Sequence, residues 1–360
     1  MSDPVRVLVV DDSALMRKLI PQILERDNSI QVVGTAMDGS FGLKKIDELK
    51  PQVVTLDLEM PRMDGIETLR EITKRHRIPV IVVSAHTTQG ASATFKALSL
   101  GAFDFVAKPK DAASARMEDI ATELITKIKA AAQTKMPSTP RFELSALPSL
   151  RRPKQHGKPH AAPSRVVAIG ISTGGPNALQ YVLSQLPGDF PGSLIVVQHM
   201  PEGFTDLFAR RLDECCAIEV KEAQSGDLLV AGRALICPGN RHIKVRRMPL
   251  GNIVVLSDEE RVNGHRPSVD ILYRSVAQEF GKEAIAVIMT GMGEDGADAL
   301  GVVKAAGGLT IAQSEDSCVV YGMPKAAIER GHAIRVVPLD MMANTLQAQC
   351  VPERARAVKV

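Results

Sequence analysis

Short apolar runs alternate along this 360-residue chain with segments whose apolar positions recur every three or four residues. In the first third the runs are VRVLVV, IQVVGTA, PQVVTLD, PVIVVSA and FDFVA. They lack polar alternation, so both faces of each strand are predicted to be covered, as in a parallel sheet packed between helices. The intervening segments supply the helices; in the last of them Met117, Ile120, Leu124 and Ile128 fall on one face. Past residue 164 the theme resumes with RVVAIG, SLIVVQ, AIAVIMT and GLTIAQ. The stretch ALICPGN–RHIKV–IVVLS departs from it and reads as antiparallel strands joined by tight turns. The expected fold class is α/β, with two doubly wound parallel-sheet domains, the second carrying an antiparallel excursion.

Residues 133–164 interrupt the alternation. Six of the 22 prolines lie there without sustained periodicity, so a linker is expected between domains at 1–132 and 165–350. The composition is 45% apolar but only 3% aromatic, with no Trp, so both cores must be aliphatic. The formal charge of +3 would hint at a nucleic-acid partner if it lay on a domain. It does not: residues 1–132 are neutral, the linker is net +5 and residues 165–360 are net −2. A DNA-binding output would need a basic recognition helix, and no helix-turn-helix pattern is present. No apolar run approaches the ~20 residues of a bilayer span, and Met1 to Val10 does not read as a signal peptide. Five cysteines without CxxC spacing argue against a disulfide framework or zinc site and fit a reducing cytoplasm.

Open parallel sheets carry their functional groups beyond the carboxyl ends of the strands. The first run ends in Asp11-Asp12, the third in Asp57, the fourth at Ser84 and the fifth at Lys108-Pro109. Three carboxylates at one edge repel one another, which a hard cation such as Mg²⁺ relieves. One aspartate can then attack phosphorus to give an aspartyl phosphate. A hydroxyl and an ammonium group suit the phosphoryl oxygens. Taken singly, Asp11 and Asp12 read as helix caps and Lys108 as a solvated loop charge; their joint placement favours a site.

With D-D-S, D-L-E-M-P-x-M-D-G, S-A and K-P in order, residues 1–132 resemble a two-component receiver domain. The resemblance implies a flavodoxin-like fold with Asp57 as phosphoacceptor and Asp11, Asp12 and Asp57 as Mg²⁺ ligands. It also implies Ser84 and Lys108 as phosphate sensors and Phe105 at the switch aromatic.

In the second domain RVVAIG runs into Ile171-Ser172-Thr173-Gly174-Gly175-Pro176 before a helical pattern. Gly170 to Gly174 matches G-x-S-x-G, a turn that can expose a serine hydroxyl. On this motif alone a phosphate cradle at a helix N-terminus, or a turn in which Ser172 caps the helix, ranks ahead. Two further strand ends shift the balance toward chemistry. SLIVVQ ends at His199, and AIAVIMT leads through Gly291-Met292-Gly293-Glu294 to Asp295. On a shared rim these supply a serine nucleophile, a histidine base and an aspartate to orient it. The chain order Ser, His, Asp differs from that of α/β-hydrolases, so that fold is not implied. Thr173 is left open as a rival nucleophile or a supporting hydroxyl. His242, His265 and His332 lie in less favourable positions.

The motifs G-I-S-T-G-G-P, V-V-Q-H-M-P, H-R-P-S-V-D, M-T-G-M-G-E-D-G and Y-G-M-P-K-A-A give residues 165–350 a resemblance to the chemotaxis methylesterase/glutaminase (CheB) family. The resemblance implies a Rossmann-like catalytic domain with Ser172 as nucleophile, His199 as base and Asp295 as its orienter. The Met292 backbone and Thr173 would stabilise the oxyanion, and His265, Arg266 and Asp270 would shape the rim. It further implies methylated chemoreceptors as substrate, a chemotaxis histidine kinase as phosphodonor, and a receiver that blocks the cleft until phosphorylated. Mg²⁺ would serve the receiver alone. A cytoplasmic monomer is expected, neither inserted in a membrane nor bound to nucleic acid. The competing reading is a response regulator whose output domain binds a nucleotide or protein without catalysis.

Overall fold

The computed structural model describes residues 3–85, 87–108, 116–134 and 161–351. Each apolar run of the first domain forms a strand: β1 (Val5–Val10), β2 (Ile30–Ala36), β3 (Val53–Asp57), β4 (Val80–Ser84) and β5 (Asp104–Ala107). Between and after them lie α1 (Ala14–Leu24), α2 (Gly39–Leu49), α3 (Gly65–Arg75), α4 (Thr88–Ser99) and α5 (Arg116–Gln133). The sheet order is β2-β1-β3-β4-β5, parallel throughout, which is the flavodoxin-like winding. Polar side chains start the helices: Ser13 accepts from Met16 N, Asp38 from Phe41 N and Asp64 from Glu67 N. Ser13, rather than Asp11 or Asp12, caps α1, which leaves both aspartates available at the end of β1. Leu124 and Ile128 of α5 are buried as the periodicity predicts, whereas Ile120 is half-buried and the Met117 side chain lies outside the described residues.

Contacts divide the chain into two units, 1–144 and 145–360. Residues 135–160 of the expected linker lie outside the described residues. The second unit contains β6 (Val166–Ile171), α6 (Gly175–Ser184), β7 (Ser193–Gln198), α7 (Thr205–Cys215), β8 (Glu219–Glu222), β9 (Arg233–Ile236), β10 (His242–Arg246) and β11 (Ile253–Ser257). Then follow α8 (Val269–Phe280), β12 (Ala284–Ile288), α9 (Ala297–Ala305), β13 (Leu309–Gln313), α10 (Met323–Glu329), β14 (Arg335–Val337) and α11 (Leu339–Cys350). Seven strands form one parallel sheet in the order β14-β13-β12-β6-β7-β9-β8.

The antiparallel excursion is smaller than expected. Among the described strands, β10 and β11 alone form an antiparallel ladder, with His242 opposite Ser257; ALI becomes β9 and joins the main sheet beside β7. Burial explains the difference, because Ala234, Leu235 and Ile236 are fully covered while the hairpin keeps polar residues outside. The strand β8 (EVKE) carries too little apolar character to be read as a strand, and edge strands need little.

Winding starts at β6 and proceeds both ways, so the strand order reverses between β6 and β12. Ligand crevices form at such a reversal. Buried Tyr273 of α8 ties the two strands there: its hydroxyl donates to Val287 O (2.6 Å) and accepts from Gly170 N (3.0 Å). Around it Val166, Ile195, Leu272, Ile288 and Leu300 belong to one aliphatic core. No described helix is long and apolar enough to cross a membrane.

Candidate functional site

In the first domain the strand ends gather Asp11, Asp12, Asp57 and Lys108. Carboxylate oxygens of the three aspartates lie within 4.8 Å of one another. Lys108 Nζ lies 2.7 Å from Asp57 Oδ2 and 3.1 Å from Asp11 Oδ2. Asp11 is almost fully buried, and its Oδ2 has no partner beyond that ion pair. Burial pushes the Asp11 carboxyl up; Lys108 opposes the shift and the Asp57 charge adds to it. Burial would lower the Lys108 ammonium, but the bond and charge of Asp57 and the charge of Asp11 outweigh it and hold it above its usual value. Crowded hard oxygens, one of them without a hydrogen bond, fit a divalent cation. Ser84, at the end of β4, is buried and donates to Gly90 O (3.0 Å). Phe105 is also buried, edge-on to Phe95 with ring centroids 6.4 Å apart.

In the second domain, neighbouring strands β7, β6 and β12 end at one rim. The ladder runs on past them, with His199 N donating to Ile171 O (3.1 Å) and Ser172 N to Thr290 O (3.0 Å). Ser172 is half-buried and lies ahead of the helix cap; Gly174, at φ +75°, is the N-cap of α6. That excludes the helix-cap reading of Ser172. A side chain on Gly291 would collide with the Ser172 Cβ and the Met323 sulfur, so glycine lets the β12 loop approach the serine. Thr173 is buried, leaving Ser172 the more accessible hydroxyl. Among the described residues, the backbone N–H groups of Thr173 and Met292 donate to no acceptor.

His199 Nε2 lies 2.8 Å from Asp295 Oδ2. Asp295 is 1% exposed and accepts from Val269 N (2.7 Å), Ser268 Oγ (2.8 Å), Asp270 N (3.3 Å) and Asn263 Nδ2 (3.4 Å). The carboxylate therefore sits on the N-terminus of α8, where amide donors and the helix dipole favour an anion. Burial alone would raise its pKa, but His199, Val269 and Ser268 outweigh burial and bring it down to about 2. An ionised acceptor at Nε2 fixes the proton there and leaves Nδ1 as the basic nitrogen. Nδ1 is buried and has no hydrogen-bond partner. No hydrogen bond joins Ser172 to His199 among the described residues; such bonds are often long in substrate-free enzymes.

Three neighbours of this pair have contacts that the sequence did not specify, although His265 and Gln198 lie within the quoted motifs H-R-P-S-V-D and V-V-Q-H-M-P. Val262 and His265 exchange N–H···O bonds across a two-residue turn in which Asn263 (φ +53°) and Gly264 (φ +78°) are both left-handed. The turn brings Asn263 to Asp295 and to Asp270, and lays His265 flat on His199 with ring centroids 4.0 Å apart and planes within 8°. The N-G dipeptide is the one signal that could have located it. Gln198, preceding His199, is the third. His242 braces Ser268 N and Glu260 O, and His332 meets Ala297 O. Arg266 binds Asn240 and the carbonyls of Asp258 and Glu259. Asp270 is buried and holds Ala299 N (3.0 Å).

Burial, then the neighbouring His199 and Arg261, lower the His265 pKa to about 4, with Asp295 pulling the other way. A base whose folded pKa lies below its unfolded value of ~6.5 stabilises the native state above that value and loses the benefit as pH falls toward 4. Wild-type protein is therefore expected to lose stability relative to His265→Gln between about pH 6.5 and 4. Urea melts at both pH values check this; a constant difference would contradict it.

A family model described as CheB methylesterase matches residues 167–346, and one described as response regulator receiver domain matches residues 7–118. The chain is 65% identical over 355 residues, 98% of both chains, to "Protein-glutamate methylesterase/protein-glutamine glutaminase 2" of Koribacter versatilis. It is 47% identical over 353 residues to the Symbiobacterium thermophilum protein bearing the same name without the numeral, covering 95% of this chain and 96% of that one. Among solved structures, the catalytic domain of the Thermotoga maritima CheB methylesterase superposes with a TM-score of 0.50 at 40% identity, covering 51% of this chain and 97% of the other.

Proposed function

The chain belongs to the CheB methylesterase family, and from that membership we propose that it is a phosphorylation-activated protein-glutamate methylesterase and protein-glutamine glutaminase acting on chemoreceptors. The observation that carries the reading is the His199–Asp295 pair, with its free basic nitrogen on the rim where Ser172 stands.

Ser172 attacks the side-chain carbonyl of a methylated receptor glutamate while His199 Nδ1 takes its proton. The imidazolium so formed keeps its Nε2 proton on Asp295, whose charge stabilises it. The free N–H groups of Thr173 and Met292 receive the oxyanion. The imidazolium then protonates departing methanol, and water enters by the reverse route to release the carboxylate. A glutamine substrate follows the same path and releases ammonia. The base pairs through Nε2, so His199 presents the opposite ring nitrogen to the serine from that of the trypsin-like arrangement.

In the receiver, Asp57 takes the phosphoryl group from a chemotaxis histidine kinase. Asp11, Asp12 and Asp57 would hold Mg²⁺, which offsets the charge of the incoming phosphate. Lys108 is placed to pair with that phosphate, and Ser84 to donate to it once released from Gly90 O. The protein acts in the cytoplasm, where receptor signalling domains and kinase are found. A non-catalytic output domain is not favoured, because it leaves the buried base–carboxylate pair without a purpose.

Methanol release from methylated receptor membranes, with and without a small-molecule phosphodonor, tests chemistry and switch together. Phosphodonor is expected to raise the rate at least about tenfold, a population shift worth about 1.4 kcal/mol. Asp57→Asn should keep the basal rate and lose the response. Absence of methanol release under both conditions would refute the reading.

A further inference from the structure

Gln198 closes β7 with 2% of its surface exposed, in a strand otherwise built from aliphatic residues and one serine. Its amide nitrogen donates twice, to Ser172 O (3.1 Å) and to His199 O (3.0 Å). Reversing the amide would set its oxygen against those two carbonyls, so the acceptors decide which atom is nitrogen. The amide oxygen is buried and has no partner. It occupies the space beside Gly175, where a Cβ would lie 2.1 Å from it. Gly175 in turn donates its N–H to Ser172 O (2.7 Å), the same carbonyl.

An unpaired buried carbonyl destabilises the fold, and an apolar residue of the same size would avoid that cost. The group that stays in spite of it bonds the backbones of the two residues proposed to react. We propose that Gln198 is a positioning residue: its one amide nitrogen sets the separation of Ser172 from His199, and Gly175 is glycine because that amide fills its side-chain space. Reacting groups held even 1 Å out of place lose about a hundredfold in rate, so the brace acts on turnover rather than on substrate affinity.

This inference rests on the triad proposed above, and the experiment separates the two. Full-length protein with Gln198→Met keeps the volume but not the donors. Relative to wild type it is expected to release methanol 10–100-fold more slowly with KM for receptor within twofold. Labelling of Ser172 by a fluorophosphonate should slow by a similar factor. Gly175→Ala displaces the amide from the other side and is expected to cause a similar loss; because its Cβ would also meet Ile171 Cγ1 at 2.9 Å, only the smaller loss from that contact should remain in a Gln198→Ala background. Circular dichroism and the folded fraction normalise each rate. Where one variant unfolds, the other reports on the same amide. Turnover and labelling within twofold of wild type in folded Gln198→Met, or losses from Gly175→Ala and Gln198→Ala that multiply, would overturn the positioning role. Labelling that persists in Ser172→Ala would instead overturn the triad.

Discussion

Replacing Ser172 with alanine is expected to lower methanol release about 10⁴-fold or more, while phosphorylation of Asp57 proceeds as in wild type. The loss corresponds to about 5 kcal/mol of transition-state stabilisation, too large for a surface substitution to mimic by perturbing packing. Ser172 is half-buried at the end of β6, and its backbone N–H is already committed to Thr290 O. Removing the hydroxyl therefore leaves the backbone in place, and stability should change by well under 1 kcal/mol. The proposed oxyanion donors at Thr173 and Met292 are untouched, so KM is expected to move little. Independent phosphorylation of the receiver separates lost chemistry from lost folding. A rate above about one per cent of wild type would remove Ser172 from the mechanism and return attention to Thr173.

Asp295→Asn is the second large effect, and it differs because rate and stability fall together. The amide is nearly isosteric, but it cannot hold an Nε2 proton and stabilise an imidazolium as a carboxylate does. A 10³–10⁴-fold fall in kcat is expected. The same carboxylate caps α8 through Val269 N, Asp270 N and Ser268 Oγ, so neutralising it also removes an anion from a helix N-terminus. With the folded carboxyl at about 2 and its ordinary value near 3.8, the charge contributes about 2 kcal/mol at neutral pH. A depressed carboxyl stabilises above its unfolded pKa and loses that effect as pH falls through the folded one. Urea melts of wild type and Asp295→Asn should thus differ most above pH 4 and converge toward pH 2. A rate loss with no pH-dependent stability difference would detach Asp295 from the helix terminus.

The placement of the candidate residues at strand ends was legible because parallel sheets leave few choices. Ser172, His199 and Asp295 each follow a continuous apolar run, and so do Asp57 and Lys108. What periodicity missed depends on neighbours distant in sequence. The segment ALI carries the same residues whether it pairs with β7 or turns back, and only burial against the core decided for β9. The stacking of His265 on His199 needs the left-handed turn at Asn263-Gly264 as well as the register of β10 and β11, and neither is encoded by spacing. Gln198 drew no separate reading in the sequence, because one of its two acceptors, Ser172 O, comes from the turn after the neighbouring strand β6, and only His199 O is local. Asp295 as a cap for α8 joins residues 26 apart through the fold rather than through a capping motif.

The pairing of β6 with β12 has a consequence for how activity comes into being. It sets Ile288 beside Gly170, and the His199–Asp295 contact spans 96 positions. Long-range parallel pairings form late because the intervening chain must first give up its freedom. On a ribosome, a nascent chain that has not yet passed Gly296 already carries the serine and the histidine, but nothing that orients the base. Esterase competence should therefore not arise before β12 and Asp295 have been made and β12 has paired with β6, and a chain cut short before β12 is expected to be inert whatever the state of its receiver.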